Sequence, residues 1–263
     1  MEQQTFMFIA GGGCLLVAFL IYRFGYRPCA RRYDTIRAVP TIAARDVPGL
    51  GAAMVEVTGL ARCPAPLISD LARVPCVAFT CCVTEHWTTT RTERDSKGNT
   101  RRVTEHHSAT RYANEQRIAF EVRDESGGVL VRPEGAAIDL LDAMGDLDGP
   151  RPDSPAYGLT PQHFGGSLRY SESVLPVGQR LYVLGQVGAD HAIQRPAGFD
   201  RPFVISFRGE AELCRRARIG KWAAGLAGLA FLAGGFGLFA VADRMTAPAP
   251  MPAPVKWNVG AGK

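Results

Sequence analysis

Between Val74 and Trp87 the chain reads VPCVAFTCCVTEHW, which places Cys76, Cys81, Cys82 and His86 within eleven residues. Thiolates and imidazoles at close spacing are zinc ligands, and an activated thiol is a nucleophile, so no other stretch offers as much chemistry. Strand geometry decides what it can do. The alternation predicts a strand with Val77, Phe79, Cys81, Val83 and Trp87 on one face and Cys76, Thr80, Cys82, Thr84 and His86 on the other. Cys82 and His86 then stand about 13 Å apart at roughly 3.3 Å per residue, whereas zinc ligands each lie about 2.0 to 2.3 Å from one ion. A single strand therefore cannot supply a metal site. The stretch TEHHSATRY is the expected returning strand, with Glu105 and His107 facing one way and His106 the other. Across such a hairpin Cys82, His86 and His107 are the metal cluster this sequence could assemble. Polar pairs on a wet hairpin face, with Cys81 as a small buried apolar residue, account for the same residues without a metal. The expectation is no metal and no other cofactor.

Other signals of chemistry are weak. G-x-S-x-G, P-loop and H-E-x-x-H patterns do not occur in the sequence. The pairs Gly127-Gly128 and Gly165-Gly166 are turn-sized and lead into no helix pattern, which speaks against a phosphate cradle. The acidic DLDG at Asp146–Gly149 lacks the spaced ligands and terminal Glu of a calcium loop and reads as a solvated turn. The expectation is that no residue is catalytic and none binds a cofactor.

The elements that must position these residues include two that are not available to a soluble core. FMFIAGGGCLLVAFLIY and WAAGLAGLAFLAGGFGLFAV carry no charged residue. At about 1.5 Å per residue the second matches the roughly 30 Å of a bilayer core, and the first does so if extended to about Phe24. Neither a basic n-region nor a small-residue cleavage site accompanies the first, so both are read as transmembrane helices. Arg23, Arg27, Arg31, Arg32 and Arg37 follow the first span, and Arg208, Arg215, Arg216, Arg218 and Lys221 precede the second. The positive-inside rule then predicts a cytoplasmic middle segment with both termini outside. The net charge of +5 is a topology and lipid-surface signal. It comes without the aromatic-interleaved basic stripe of a nucleic-acid binder, so no nucleic-acid partner is expected. Seven cysteines in irregular spacing, without a C-x-x-C pair, fit a reducing compartment. Small residues four apart in the second span, and Gly11 to Gly13 in the first, suit close packing of the spans on each other or on another copy as a homo-oligomer.

The segment between the spans reads as strands. MVEVTGL, CVAFTCCVTEHW, RLYVLGQV and PFVISF have alternating or β-branched texture, and RIAFEVRDESGGVLVRP is two short strands joined by a turn. The predicted fold class is a mainly β domain, a small barrel or sandwich, between two transmembrane α-helices. Thr88–Arg102 is expected to be a long hairpin loop or the protruding tips of two strands, and Asp142–Gly158 an irregular surface loop. The organisation follows: residues 1–24 form the first span with a short N-terminus, 25–50 a basic juxtamembrane linker and 51–208 the β-rich domain. Residues 209–244 form a helix continuing into the second span, and 245–263 a Pro/Ala-rich tail.

The segments VEVTGLARCPAPLISDLARVPCVAFTCCVTEHW, GGVLVRPEGA, YSESVLPVGQRLYVLGQV and FDRPFVISFRGEAEL, followed by a second span, resemble the GIDE or "beside a membrane" domain. That domain lies between the membrane helices of the mitochondrial ubiquitin ligase activator of NF-kappa-B family. The resemblance runs from about Met54 to Val241. It implies a two-span architecture with a β-rich domain held beside the bilayer, and in the ligases of the family that domain faces the intermembrane space. Those ligases carry a C-terminal zinc-binding RING that recruits a ubiquitin-charged E2. Here the residues after Val241 include no cysteine and no histidine, so no position receives a RING zinc ligand. The expected function is a membrane-anchored interaction or sensor module without a catalytic site, whose partners are the lipid bilayer and a protein not named by the sequence. RING-type E3 ubiquitin transferase activity is the alternative that the resemblance implies.

Overall fold

The computed structural model describes residues 2–94, 100–145, 147–198 and 201–244, and the side chains of 5–94 within the first stretch. It divides into two compact units, Met1–Ala30 with Ala217–Lys263, and Arg31–Arg216.

The first unit is helical. Helix α1 (Glu2–Leu20) passes through a π-helical stretch (Ile21–Tyr26) into α2 (Arg27–Ala38) without a break, and α3 runs from Glu210 to Arg244. Both runs are long and apolar enough to cross a membrane. Glycine sets their approach. A Cβ on Gly11 would lie 3.1 Å from the Phe239 ring and 3.3 Å from the Gly235 carbonyl oxygen, and one on Gly235 would lie 3.1 Å from Leu15. The Phe8 and Phe239 rings sit 5.7 Å apart. Small residues let the backbones approach closely, as expected for helices without a hydrophobic driving force between them. The basic stretch after the first span is helical as far as Ala38.

The second unit is mainly β. Its strands are β1 (Met54–Arg62), β2 (Leu67–Ile68), β3 (Pro75–Arg94), β4 (Thr100–Arg117), β5 (Phe120–Arg123) and β6 (Gly128–Val131). They continue as β7 (Ala137–Ile138), β8 (Leu141–Asp142), β9 (Ser167–Pro176), β10 (Arg180–Val187), β11 (Ile193–Gln194) and β12 (Val204–Ser206). Strands β1, β5, β6, β11 and β10 close on themselves, because β10 also pairs antiparallel with β1. The β6–β11 contact is parallel and the other four are antiparallel. In chain order the circuit runs first, second, third, fifth, fourth and back to first, the Greek-key plan of a small OB-type barrel. Closure leaves these strands few free edges, and β12 and β7 extend the sheet from β10. The barrel interior is mainly aliphatic, with Val55, Val57, Val122, Leu181 and Val183 fully or nearly fully buried and Phe120 beside them. Each side chain of this size contributes about 1.5 to 3 kcal/mol on burial. Outside the barrel but within this second unit, Tyr182 and Leu184 of β10 pack with Ile36 and Leu213.

A second sheet is spliced into the barrel's connections. β2, β3 and β4 come between β1 and β5, and β8 and β9 between β6 and β10, giving the order β2-β3-β9-β8 with β4 paired to β3. Phe79, Cys81, Val83 and Val174 form its inner face, under Leu71, Met144 and Ala156. The stretch Asp142–Gly158 is thus more than the irregular surface loop expected, since Met144, Ser154 and Ala156 are buried against the sheet. A register shift between Cys76 and Ala78 also corrects the simple alternation. Cys76 joins the core of Phe79 and Cys81, while Val77 and Ala78 join the barrel core.

Candidate functional site

Pairing of β3 with β9 ends at His86, opposite Ser167, while pairing of β3 with β4 continues to Arg94, opposite Thr100. Residues Trp87–Arg94 and Thr100–His107 therefore form a two-stranded arm projecting from the sheet. The expectation for Thr88–Arg102 resolves as strand tips, with Asp95 to Asn99 outside the described residues. Threonine at positions 88, 89, 90 and 92 favours the extended backbone. Arg91 bridges Glu93 at 2.8 Å and Glu105 at 2.9 Å, an exposed pairing that adds little stability.

At the base of the arm the inner face carries a stack of rings. Trp87 lies parallel to His163 with centroids 3.7 Å apart, and His107 covers it at 5.3 Å. His107 Nε2 shares a 2.7 Å hydrogen bond with the Thr89 hydroxyl. Beneath the stack Glu85 is completely buried. Its Oε1 accepts from the backbone N–H groups of Gln162 and His163, each at 2.8 Å, and lies 3.1 Å from His163 Nδ1. Its Oε2 accepts from Arg111 at 2.6 Å. A bulge makes that reach available: Val83 faces Tyr112 and Thr84 faces Thr110, leaving Arg111 as the extra residue on β4. Burial pushes the Glu85 carboxyl up, but the His163, Gln162 and Arg111 donors outweigh it and hold it below the usual carboxylate range.

These bonds fix the loop from Pro161 to Gly166 and what it displays. Gly165 adopts φ of +71°, and a Cβ on Gly166 would lie 2.8 Å from Glu85 Oε1 and 2.9 Å from the His163 carbonyl oxygen. The Gly166 N–H closes the turn on that carbonyl at 3.0 Å. Between the pinned His163 and this turn, Phe164 is fully exposed, with 103% of its reference area in solvent. A large aromatic on a fixed backbone is the kind of side chain that anchors a protein interface, because little conformational entropy remains to be lost on binding.

A second buried carboxylate works the same way on the opposite loop. Glu172 accepts from Ser69 Oγ at 2.8 Å, Leu71 N–H at 2.8 Å and Ala72 N–H at 2.7 Å. Next to it Asp70 Oδ2 accepts from Tyr112 and Asn114, both at 2.7 Å, and from the Cys81 thiol at 3.7 Å. Burial pushes the Cys81 thiol up to about 12, so it stays protonated and is a poor nucleophile.

The register separates the residues of the conceivable metal cluster. His107 stands opposite Trp87, whereas His86 stands opposite Ser108, so the two imidazoles occupy opposite faces. Cys82 shares the outer face with His86, and its Sγ lies 3.5 Å from the Thr84 hydroxyl. Among the described residues no three His, Cys, Asp or Glu side chains are placed to hold a metal ion. In the DLDG turn, Asp146 lies outside the described residues. Sequence reasoning missed Glu85, His163 and Phe164. Their signal is faint: an acidic residue at an inward position of an apolar strand, and a glycine pair directly after an aromatic.

A family model described as E3 ubiquitin ligase, the GIDE model, matches residues 88–239, more than half of the chain. The chain belongs to the GIDE family. The GIDE match takes in most of the arm, the loop carrying His163 and Phe164, Glu172, and most of α3. No curated protein and no solved structure matches the chain.

Proposed function

We propose that this GIDE-family chain is a membrane-anchored interaction module without a catalytic site of its own, and that Phe164 is its anchor for a protein partner offering an apolar pocket. The observation that carries the reading is a fully exposed phenylalanine on a loop pinned by the buried Glu85. The arm beside it supplies exposed polar contacts, and the two apolar helices keep the domain within reach of a bilayer. In this reading the domain lies on the cytoplasmic side with both termini outside, following the arginine distribution.

Photo-crosslinking tests the reading. A photoreactive residue at position 164 of the full chain in its native membrane gives a discrete protein adduct. The same probe at Leu130, an exposed residue on barrel strand β6, does not. Equal labelling at the two positions contradicts the proposal. Reporter fusions at the termini test the orientation.

The family description favours a second reading, E3 ubiquitin transferase activity with the RING supplied by another polypeptide. A reconstituted reaction with E1, E2 and ubiquitin separates the two. Chain formation by this polypeptide alone refutes the non-catalytic reading, and chain formation only with an added RING protein supports the second.

A further inference from the structure

The barrel has a charged face built on β1, β5 and β10. Leu60 of β1 stands opposite Arg123 of β5 on one side and Arg180 of β10 on the other. Strands lie about 4.8 Å apart, so the two arginine Cα atoms flank Leu60 at a separation of about 10 Å. Arg62, two residues further along β1, shares the same face. Alternation confirms the side: Ala61, Val122 and Leu181 are buried in the barrel, whereas Leu60, Arg62, Arg123 and Arg180 are exposed. Arg62, Arg123 and Arg180 line a cleft of about 750 Å³ together with Thr58, Asp124 and Glu125.

The carboxylates nearby leave much of this positive charge uncommitted. Arg123 Nε lies 3.3 Å from Glu121 Oε1, and neither Arg62 nor Arg180 makes an ion pair among the described residues. Asp124 is spent internally, accepting from Ala44 N–H at 2.8 Å and from the Ser126 and Gly127 N–H groups at 2.7 Å and 3.1 Å. Burial pushes its carboxyl up, but the Ser126, Ala44 and Gly127 donors prevail and hold it at about 2. Glu125 lines the cleft and makes no ion pair among the described residues. Among the described residues the three arginines thus meet two carboxylates on this face, Glu125 and Glu121, the latter opposite Arg62 and bonded to Arg123.

A guanidinium fork binds a tetrahedral oxyanion in bidentate fashion, and several forks spread around one point suit a group with three or four acceptor oxygens better than a planar carboxylate. We propose that Arg62, Arg123 and Arg180 form a binding site for a phosphate-type group, carried by a soluble phosphate ester or by an anionic lipid headgroup.

The test uses the full chain in two arms. In phosphatidylcholine nanodiscs, inorganic pyrophosphate is titrated by calorimetry. In mixed micelles, phosphatidylglycerol retained by the protein is counted by native mass spectrometry. The wild type binds in at least one arm, and the arm identifies the source. The double variant R62Q/R180Q weakens that binding about tenfold or more, the scale of two lost charge-assisted contacts, while R169Q on β9 leaves it unchanged. Circular dichroism confirms that these exposed substitutions keep the fold. Absence of saturable binding by the wild type in both arms overturns the proposal, as does equal binding by the wild type and the double variant.

Discussion

The barrel and the sheet spliced into it solve the same packing problem with different means. The barrel wraps strands around an apolar interior, so each inner face is covered by another strand. The second sheet is open, and loops cover its inner face. Loops bring unpaired backbone N–H groups with them, and these must find acceptors once buried. Glu85 and Glu172 supply those acceptors from inside the strands. The barrel also buries a carboxylate, Glu56, but on its outer side, where among the described residues the donors to it are the Thr41 and Tyr182 hydroxyls, at 2.6 Å and 2.8 Å. In the open sheet, buried acids staple covering loops in place, and one staple also fixes the loop that presents Phe164.

The largest expected effect breaks a staple. Glu172→Ala leaves the Leu71 and Ala72 N–H groups and the Ser69 hydroxyl without their acceptor, at a cost of about 3 to 9 kcal/mol at one to three per buried orphan. Urea unfolding of the full chain in micelles measures the loss, and hydrogen exchange should place it in the second sheet and not in β1 and β10. The barrel breaks by crowding instead. A Cβ on Gly185 would come within 2.6 Å of Ile193 and 2.9 Å of the Phe203 ring, so Gly185→Ala should cost about 1 to 3 kcal/mol through overpacking. If the two variants lose protection in the same segments, the regions are not separate in the way described.

Acid and base should distinguish the buried carboxylates of the two regions. Hydrogen-bond donors outweigh burial at Glu85 and hold it below the usual range, so the folded state binds its proton less tightly than the unfolded chain. Its stabilisation is complete above the ordinary carboxyl range and is lost as pH falls through the depressed value. Glu56 has the opposite sign. Burial raises it, the Thr41 and Tyr182 hydrogen bonds only partly offset that, and Glu210 adds to the rise. The folded state then binds the proton more tightly, and stability is lost as pH rises from the ordinary range through the raised value. Denaturation at stepped pH checks both: Glu85→Gln should flatten the acid limb and Glu56→Gln the limb above it. The smallest effect on stability belongs to Phe164→Ala, within about 0.5 kcal/mol as for a surface change, although it removes the proposed anchor.

Much of the barrel was legible because its strands alternate cleanly. Met54–Leu60 and Arg180–Val187 could be read from side-chain type alone, and so could the Asp124–Gly127 turn between β5 and β6. Closure was not legible, since the pairing of Met54 with Gln186 joins residues far apart in sequence. In the second sheet the alternation identified Cys81 as inward, but register decided the rest. Without it, His86 and His107 could be imagined on one face, and a one-residue shift at Cys76 was invisible. The roles of Glu85 and Glu172 were not legible, because the backbone N–H groups each accepts from leave no signature in residue type. Phe164 was not legible either, because hydrophobicity says nothing about whether a turn carries a side chain outward.

The most direct measurement combines the staple with the display. Crosslinking from a photoreactive residue at position 164 is repeated with Glu85→Gln in the same chain. If the buried carboxylate pre-organises the loop for its partner, the discrete adduct falls several-fold while the barrel strands keep their exchange protection. An undiminished adduct in the Glu85→Gln chain would contradict the account, because the partner would then be recognised without the loop held in place.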